Sequence, residues 1–363
     1  MNEPVSISPR PVLDTLPAYA AGKPPAAVEG LVAYKLASNE NPYGPVPAVR
    51  ETIAEFDAIS RYPDPLATLL RERLAEHLDV PAADIVTGAG SLGALTQIIN
   101  TFAGARPDGT QDEVIFPWRS FEAYPIVVRT SGAKDVQVPL TEDFRHDLQA
   151  MAAAINDRTR VILLCTPNNP TGPILSTEEV EGFLAQVPPH VLVVIDEAYL
   201  EFIRDEGAVD GIEMYRRHQN VVVLRTFSKA HGLANLRVGY SVSHPHITQY
   251  LCVIATPFAV SSLAERSAVA SLDHLDQVME RVDQVVSERE RVVQGLQDAG
   301  WDVPDTQANF VWLPLGERTP EFVAAAERQA LSVRGFGTEG VRVSIGEVEA
   351  NTRFLELVRA FGA

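Results

Sequence analysis

The sequence predicts an α/β protein in which a mostly parallel sheet is flanked by helices and followed by a smaller α+β domain. Three observations carry that prediction. The runs Val161-Ile162-Leu163-Leu164, Val191-Leu192-Val193-Val194-Ile195 and Val221-Val222-Val223-Leu224 are apolar at every position instead of alternating, the pattern of strands covered on both faces. Segments of helical periodicity lie between them, as crossover connections require. The 363 residues exceed the ~250–300 at which a single core stops growing, so about two domains are expected.

The first 30 residues hold six prolines (Pro4, Pro9, Pro11, Pro17, Pro24, Pro25) and little apolar periodicity, so residues 1–30 read as an extended arm. Asp64-Pro65 then supplies an N-cap and a first helical position, with Leu66, Leu69, Leu70, Leu74 and Leu78 on one stripe. A short strand, Asp84-Ile85-Val86-Thr87, runs through Gly88-Ala89-Gly90 to Ser91, the N-cap of a helix bearing Leu92, Leu95, Ile99 and Phe102. Val114-Ile115-Phe116 is the next strand, and between the runs at Val161 and Val191 lies a helix with a capping box, Ser176 and Glu179. Residues 31–258 are assigned to this large unit. From about Val260 two helical stretches lead to a stop at Gly300. A strand near Phe310-Val311-Trp312-Leu313, a helix from Pro320, a strand Val341-Arg342-Val343-Ser344-Ile345 and a final helix complete a smaller domain, residues 259–363. No repeat or low-complexity segment interrupts the chain.

Lys and Arg number 30 against 48 Asp and Glu, a formal net charge of -18. So acidic a surface repels phosphate backbones and anionic membranes, which argues against nucleic-acid and membrane partners; an anionic ligand must be captured by a local cluster of cations. Cys165 and Cys252 are far apart, the first in an apolar run, and read as reduced thiols. The N-terminus has no basic stretch ahead of an apolar one, and no window approaches ~18–20 apolar residues, so a soluble, cytoplasmic protein is expected.

Gly88-Ala89-Gly90-Ser91-Leu92-Gly93 fits G-x-G-x-x-G between a strand and a helix. A dinucleotide site also needs an acid at the end of the next strand, whereas Asp112 and Glu113 precede Val114-Ile115-Phe116. What survives is a helix N-terminus whose free N–H groups bind phosphate. His244-Pro245-His246 reads as a solvated loop, and no H-E-x-x-H or Walker-type loop occurs, so no metal is expected.

The chemistry concentrates in four polar clusters assigned to strand ends. They are Thr166-Pro167-Asn168-Asn169-Pro170-Thr171-Gly172, Asp196-Glu197-Ala198-Tyr199, Arg225-Thr226-Phe227-Ser228-Lys229 and Arg237-Val238-Gly239-Tyr240. Ligands of parallel sheets bind outside the carboxyl ends of strands, so these clusters are expected to converge on one cavity. Taken singly, each has a bland reading: Asn-Pro-Thr-Gly is a good turn, Asp196 a helix cap, Lys229 a solvated cation. Taken together they match the functional groups of pyridoxal phosphate. A lysine forms a Schiff base, an aspartate keeps a ring nitrogen protonated, an amide and a phenol bond a phenolic oxygen, and Thr226, Ser228 and Arg237 hold a phosphate dianion.

At these residues the chain resembles the fold-type I pyridoxal-phosphate aminotransferases, most closely their histidinol-phosphate/aromatic branch. The resemblance rests on Leu36-Ala37-Ser38-Asn39-Glu40-Asn41-Pro42-Tyr43-Gly44, Arg61-Tyr62-Pro63-Asp64-Pro65, the Pro-Asn-Asn-Pro-Thr-Gly stretch, Asp196-Glu197-Ala198-Tyr199, Ser228-Lys229 with Arg237, and Val341-Arg342-Val343-Ser344-Ile345-Gly346. These motifs follow the family order over nearly the whole chain. The resemblance implies that Lys229 is the catalytic residue, carrying the cofactor and moving the proton between substrate Cα and cofactor C4′. It implies that Asp196 pairs with the pyridinium nitrogen, and that Asn169 and Tyr199 contact the ring oxygen. The amides of Ser91 and Leu92, with Thr226, Ser228 and Arg237, form the implied phosphate cup. Phe121 is implied to stack on the ring, and Arg342 to clamp the substrate carboxylate, a task for a planar bidentate donor. Arg334 and Tyr19 would line the distal pocket, and Tyr62 would reach the site of a second subunit in a homodimer.

Leu92-Gly93 stands where many histidinol-phosphate members have an acidic pair, and the short Gly335-Phe336-Gly337-Thr338-Glu339-Gly340 loop is similar to the aromatic sub-branch. The implied reaction therefore moves an amino group between a phenylalanine-, tyrosine- or tryptophan-type amino acid and a 2-oxo acid such as 2-oxoglutarate. Histidinol-phosphate transamination is the alternative. A fold-related lyase or decarboxylase would also carry the lysine and aspartate but has less use for a return half-reaction, and a vestigial regulator would need an appended DNA-binding module.

Overall fold

The computed structural model describes residues 9–16, 19 and 22–363, and seven of its strands form a central sheet. They are β1 (Ile85–Ala89), β2 (Glu113–Trp118), β3 (Lys134–Pro139), β4 (Thr159–Cys165), β5 (Leu192–Asp196), β6 (Val221–Thr226) and β7 (Val238–Val242). Their order is β1-β7-β6-β5-β4-β2-β3. The pairs β6–β5, β5–β4, β4–β2 and β2–β3 are parallel, while β7 runs antiparallel to both β6 and β1. Alternate residues of the central strands enter separate cores, and both sets are fully buried. Ile162, Leu164, Val193, Ile195 and Val223 lie in one core, Val161, Leu163, Val194 and Val222 in the other. That double coverage explains why these strands are apolar throughout.

Two strands of this sheet escape the sequence pattern. β3 is an edge strand that carries Lys134, Asp135 and Gln137, so its apolar signal is diluted. In β7, Gly239 and Ser241 interrupt the apolar run. Its direction also corrects one expectation, because Arg237 precedes a strand instead of ending one. Since β7 is reversed, its start lies at the same sheet edge as the carboxyl ends of β4, β5 and β6, and Arg237 still reaches the same cavity.

Two helix starts move as well. The helix expected from Asp64-Pro65 begins at Thr68. The Asp64 carboxylate accepts from the N–H groups of Leu66 and Thr68, and Ala67 takes a φ of 47°, which closes a separate turn ahead of the helix. Leu66 and Leu69 therefore stay exposed, while Leu70, Leu74 and Leu78 are buried. The helix expected to be capped by Ser91 begins at Gly90 and runs to Phe102, placing Ser91 in its first turn. The capping box forms as expected: Ser176 Oγ accepts from Glu179 N–H, and Glu179 Oε2 accepts from Ser176 N–H, ahead of the helix Thr177–Leu184.

Beyond the central sheet come the helices Ser262–Asp273 and Leu275–Asp298. Strands β8 (Phe310–Leu313), β9 (Arg334–Phe336) and β10 (Gly340–Ser344) then form an antiparallel sheet in the order β9-β10-β8. Helix Thr319–Arg328 packs on β9 and β10, and Val348–Phe361 packs on that helix. Two connections tie the segment Tyr34–Leu36 to this part of the chain. Tyr34 and Lys35 pair in parallel with Leu331 and Ser332, and Ser344 N–H donates to Leu36 O at 2.9 Å. Within the arm, Arg10 Nη1 donates to Thr130 O at 2.8 Å; Pro4 and Pro17 lie outside the described residues. Among the described residues no helix is long and apolar enough to cross a membrane.

Candidate active site

The carboxyl ends of β4, β5 and β6, the start of β7 and the N-terminus of helix Gly90–Phe102 open on a cavity of about 290 Å³, closed opposite by Arg334, Phe336 and Arg342 of the small sheet. This cavity brings together Tyr19, Ser91, Leu92, Phe121, Asn169, Asp196, Tyr199, Thr226, Ser228, Lys229, Arg237, Arg334 and Arg342. Tyr62 lies elsewhere: it is 84% exposed and stacks on Phe258, with ring centroids 4.8 Å apart.

Lys229 follows the end of β6, and its Nζ donates to Ser38 O at 3.1 Å. Burial, reinforced by the nearby Arg342 and Arg237 guanidiniums and opposed by Glu40, brings its ammonium down from 10.5 to about 7. Near neutral pH much of Lys229 is therefore free amine, the form that acts as nucleophile or base. Asp196 ends β5 in full burial, opposite Cys165 of β4. Its Oδ2 accepts from Tyr124 OH at 2.8 Å, while Oδ1 has no hydrogen-bond partner among the described residues. Desolvation pushes this carboxyl up from 3.8 to about 6, against the lowering effect of the Tyr124 bond. An unpaired buried carboxylate oxygen at a cavity wall is costly until a donor, best a cationic one, meets it.

The helix N-terminus and Arg237 form an anion cradle. Gly90 has a φ of 73°, and a Cβ there would stand 2.4 Å from Arg237 Nη2, so glycine is what lets the guanidinium approach. A Cβ at Gly239 would stand 2.4 Å from Ser91 N, so that approach also depends on glycine. Arg237 is held in the left-handed region, φ 53°, with Nη1 donating to Ala234 O at 2.9 Å. Thr226 Oγ1 donates to Ser228 Oγ at 3.0 Å and accepts from Ser228 N–H at 3.2 Å. Two hydroxyls, a guanidinium and the free N–H groups of a helix first turn suit a phosphate dianion.

Residues 33–358 match the family model described as aminotransferase class I and II. The chain belongs to that family. A relative named aromatic amino acid aminotransferase, from Streptomyces avermitilis, is 52% identical over 353 residues, 97% of either chain. Another of that name, from Thermobifida fusca, is 48% identical over 353 residues, covering 97% of this chain and 96% of the relative. Among solved structures, histidinol-phosphate aminotransferase from Sinorhizobium meliloti in complex with pyridoxal-5'-phosphate matches with a TM-score of 0.86 at 27% identity, over 99% of this chain and 100% of that one.

In this aminotransferase the donor set fits pyridoxal phosphate group by group. The unpaired Asp196 Oδ1 suits a protonated ring nitrogen, the cradle suits the phosphate, and Lys229 suits the aldehyde. Tyr199 OH accepts from Asn39 Nδ2 at 2.9 Å, and burial raises its pKa, so it stays a phenol able to donate to a ring oxygen. Arg342 Nη1 donates to Asn169 Oδ1 at 2.5 Å and Nη2 to Ala37 O at 2.8 Å, while its buried Nε is without a partner among the described residues. Phe121 lies at the wall, edge-to-face with Tyr124 at 5.6 Å.

Sequence reasoning gave no role to four residues that contact the expected site residues in this cavity. Asn39, with φ 55°, ties Tyr199 to the small sheet, because its N–H donates to Ser344 Oγ at 2.8 Å. Ser38 supplies the carbonyl for Lys229. Tyr124 orients Asp196, and Glu122 pairs with Arg334. Asn39 carried a detectable signal, since asparagine tolerates the left-handed region. The other three depend on contacts distant in sequence.

Proposed function

We propose that this aminotransferase moves the amino group between an aromatic amino acid of the phenylalanine, tyrosine or tryptophan type and a 2-oxo acid such as 2-oxoglutarate. The composition of the distal wall carries this reading. Tyr19 and Phe336 offer aromatic surface, while the Arg334 guanidinium is already bound by Glu122 Oε2 at 2.7 Å. An uncharged ring suits such a wall and leaves the Arg334–Glu122 pair intact, whereas the phosphate ester of a histidinol phosphate donor would have to break it. The relatives at 48–52% identity that are named for aromatic amino acids support the same choice.

The cofactor is pyridoxal phosphate, which supplies an electron sink that acidifies the substrate Cα–H. The protein's residues do the positioning and proton transfer. Lys229 Nζ would anchor the cofactor and, released as free amine when the substrate's amino group takes its place, would take and return the Cα proton. Asp196 Oδ1 keeps the ring nitrogen protonated, with Tyr124 fixing the carboxylate through its other oxygen. Tyr199 and Asn169 orient the ring oxygen, and Arg342 takes the α-carboxylate with its guanidinium held by Asn169 and Ala37.

The organisation we propose has an arm over residues 1–30, a cofactor-binding domain over 31–258 and a small domain over 259–363, assembled as a homodimer. Exposed Tyr62, stacked on exposed Phe258, with Ile59 and Val253 also exposed, supports a second copy covering apolar surface here, with Tyr62 reaching the partner's cavity. Free Cys165 and Cys252 fit a reducing, cytoplasmic setting. The substrate reading is tested by kcat/KM for L-phenylalanine against histidinol phosphate, both with 2-oxoglutarate as acceptor. Phenylalanine is expected to lead by about tenfold or more, the weight of one well-placed specificity contact. A preference for histidinol phosphate overturns the reading.

A further inference from the structure

Three guanidiniums surround the Phe336 ring. Those of Arg334, Arg119 and Arg342 lie 5.2, 5.4 and 5.8 Å from its centroid. Two of the three carry a carboxylate of their own. Arg119 is bound by Glu339, and Arg334 by Glu122, with Nη2 at 2.7 Å and Nε at 3.3 Å. Arg342, whose Nε has no partner among the described residues, is the one offered to the α-carboxylate. In the β9–β10 register Arg334 stands directly opposite Arg342, so both side chains project from one face of the small sheet into one cavity. A dicarboxylate laid along that face would use both guanidiniums. An aromatic amino acid would use one.

We propose that Glu122 is the resident counter-anion of Arg334 and a specificity-determining residue of the site. While an uncharged aromatic side chain is bound, Glu122 neutralises Arg334. When a dicarboxylic 2-oxo acid enters, Arg334 exchanges the Glu122 carboxylate for the side-chain carboxylate of the ligand. Both nitrogens of Arg334 donate to the same Glu122 oxygen, Oε2, instead of forming the parallel two-oxygen fork that is strongest and hardest to displace. Both side chains remain partly accessible, Arg334 at 16% and Glu122 at 27%, and both line the cavity, so a ligand carboxylate can reach the pair. Glu122 therefore competes with dicarboxylates and favours aromatic side chains, which would otherwise leave an unpaired cation against an apolar ring. This inference rests on the transamination between aromatic and dicarboxylic partners proposed above.

The test uses the holoenzyme and two unreactive probes, glutarate and 3-phenylpropionate, with Kd measured by calorimetry for the wild type, Glu122→Gln and Arg334→Gln. Glu122→Gln is expected to tighten glutarate about tenfold, while 3-phenylpropionate tightens less than about twofold or weakens. Arg334→Gln is expected to weaken glutarate about tenfold or more, and 3-phenylpropionate by less than about threefold. Glutarate affinity unchanged in Glu122→Gln, or the two probes shifting in parallel in both variants, overturns the proposal. Should Glu122→Gln fail to fold, Glu122→Asp replaces it: the carboxylate is withdrawn by one methylene, and glutarate tightens by a smaller factor while 3-phenylpropionate does not. A wild-type enzyme that transaminates no aromatic amino acid defeats the functional reading, whereas the probe ratios judge Glu122 separately.

Discussion

The two ends of the cavity treat their polar groups in opposite ways. At the large-sheet end, Asp196 keeps one buried oxygen without a partner among the described residues, and Lys229 is driven toward its neutral form. At the small-sheet end, Arg334 is matched internally by the Glu122 carboxylate, and Arg342 is bound to Asn169 Oδ1 and Ala37 O with only its Nε left without a partner among the described residues. An unpaired buried group is tolerable where one ligand is permanently present to satisfy it. Groups satisfied internally suit a place where ligands of different charge alternate. The first end is built for a fixed occupant and the second for exchange.

Four perturbations break or sharpen this contrast. The largest effect belongs to Lys229→Ala, which removes the proposed anchor and base: transamination of phenylalanine is expected to fall by at least ~10⁴-fold. Turnover within tenfold of wild type, measured by coupled assay, would take the lysine out of the chemistry. Asp196→Asn keeps the shape but loses the charge that meets the ring nitrogen. Cofactor Kd is expected to weaken by about 10- to 100-fold, the weight of a charge-assisted hydrogen bond of ~1.5–3 kcal/mol, and an unchanged Kd would show that Oδ1 has no cationic partner. Gly90→Ala places a Cβ at a φ of 73° and 2.4 Å from Arg237 Nη2. It is expected to cost about 1–3 kcal/mol of stability, read in denaturant melts, together with faster cofactor loss on dialysis. Tyr124→Phe is the mildest. It removes a single neutral donor to Asp196, worth about 1 kcal/mol, and should move the pH midpoint of cofactor binding upward because the Tyr124 bond lowers the Asp196 pKa.

The pH dependence follows from the same contrast. In the cofactor-free protein the Asp196 carboxyl titrates at about 6, so cofactor affinity is expected to fall as pH drops through 6. Its raised folded pKa means that the folded state binds more protons than the unfolded between about 4 and 6. Its stabilising contribution is therefore full below that window and lost as pH rises through it. Lys229 has the opposite sense. Its folded pKa of about 7 lies below the ordinary 10.5, so its destabilisation is full below pH 7 and is relieved as pH rises toward 10.5. Cofactor-free Lys229→Met is accordingly expected to be more stable than wild type at pH 6, with the gap narrowing above pH 7 in urea titrations. A constant gap across that range would show that the lysine is not buried as a base.

The large-sheet end was legible in the sequence because each of its groups sits at a strand end or helix start that the apolar pattern already marks. Asp196 closes β5, and Thr226 closes β6 shortly before Ser228 and Lys229. Even the misread direction at Arg237 left the residue in the cavity, since a reversed strand begins where its neighbours end. The small-sheet end was legible only in part. Arg342 and Arg334 were assigned to the cavity by resemblance and do line it, but the contact of Glu122 with Arg334 spans 212 positions. Tyr124 became a partner of Asp196 only through packing across 72 positions. The misplaced start of the helix at Thr68 has a local cause, because an aspartate caps a turn with the same hydrogen bonds it uses to cap a helix.

A single-turnover experiment puts the fixed-occupant end to work with no acceptor present. Holoenzyme saturated with pyridoxal phosphate and freed of excess is mixed with L-phenylalanine, and phenylpyruvate, carbon dioxide and the cofactor spectrum are followed together. The expected result is about one equivalent of phenylpyruvate per chain, conversion of the cofactor to its amine form, and full recovery of the starting spectrum when 2-oxoglutarate is added. Release of carbon dioxide in place of phenylpyruvate, or a spectrum that does not return with 2-oxoglutarate, would contradict amino transfer between these partners.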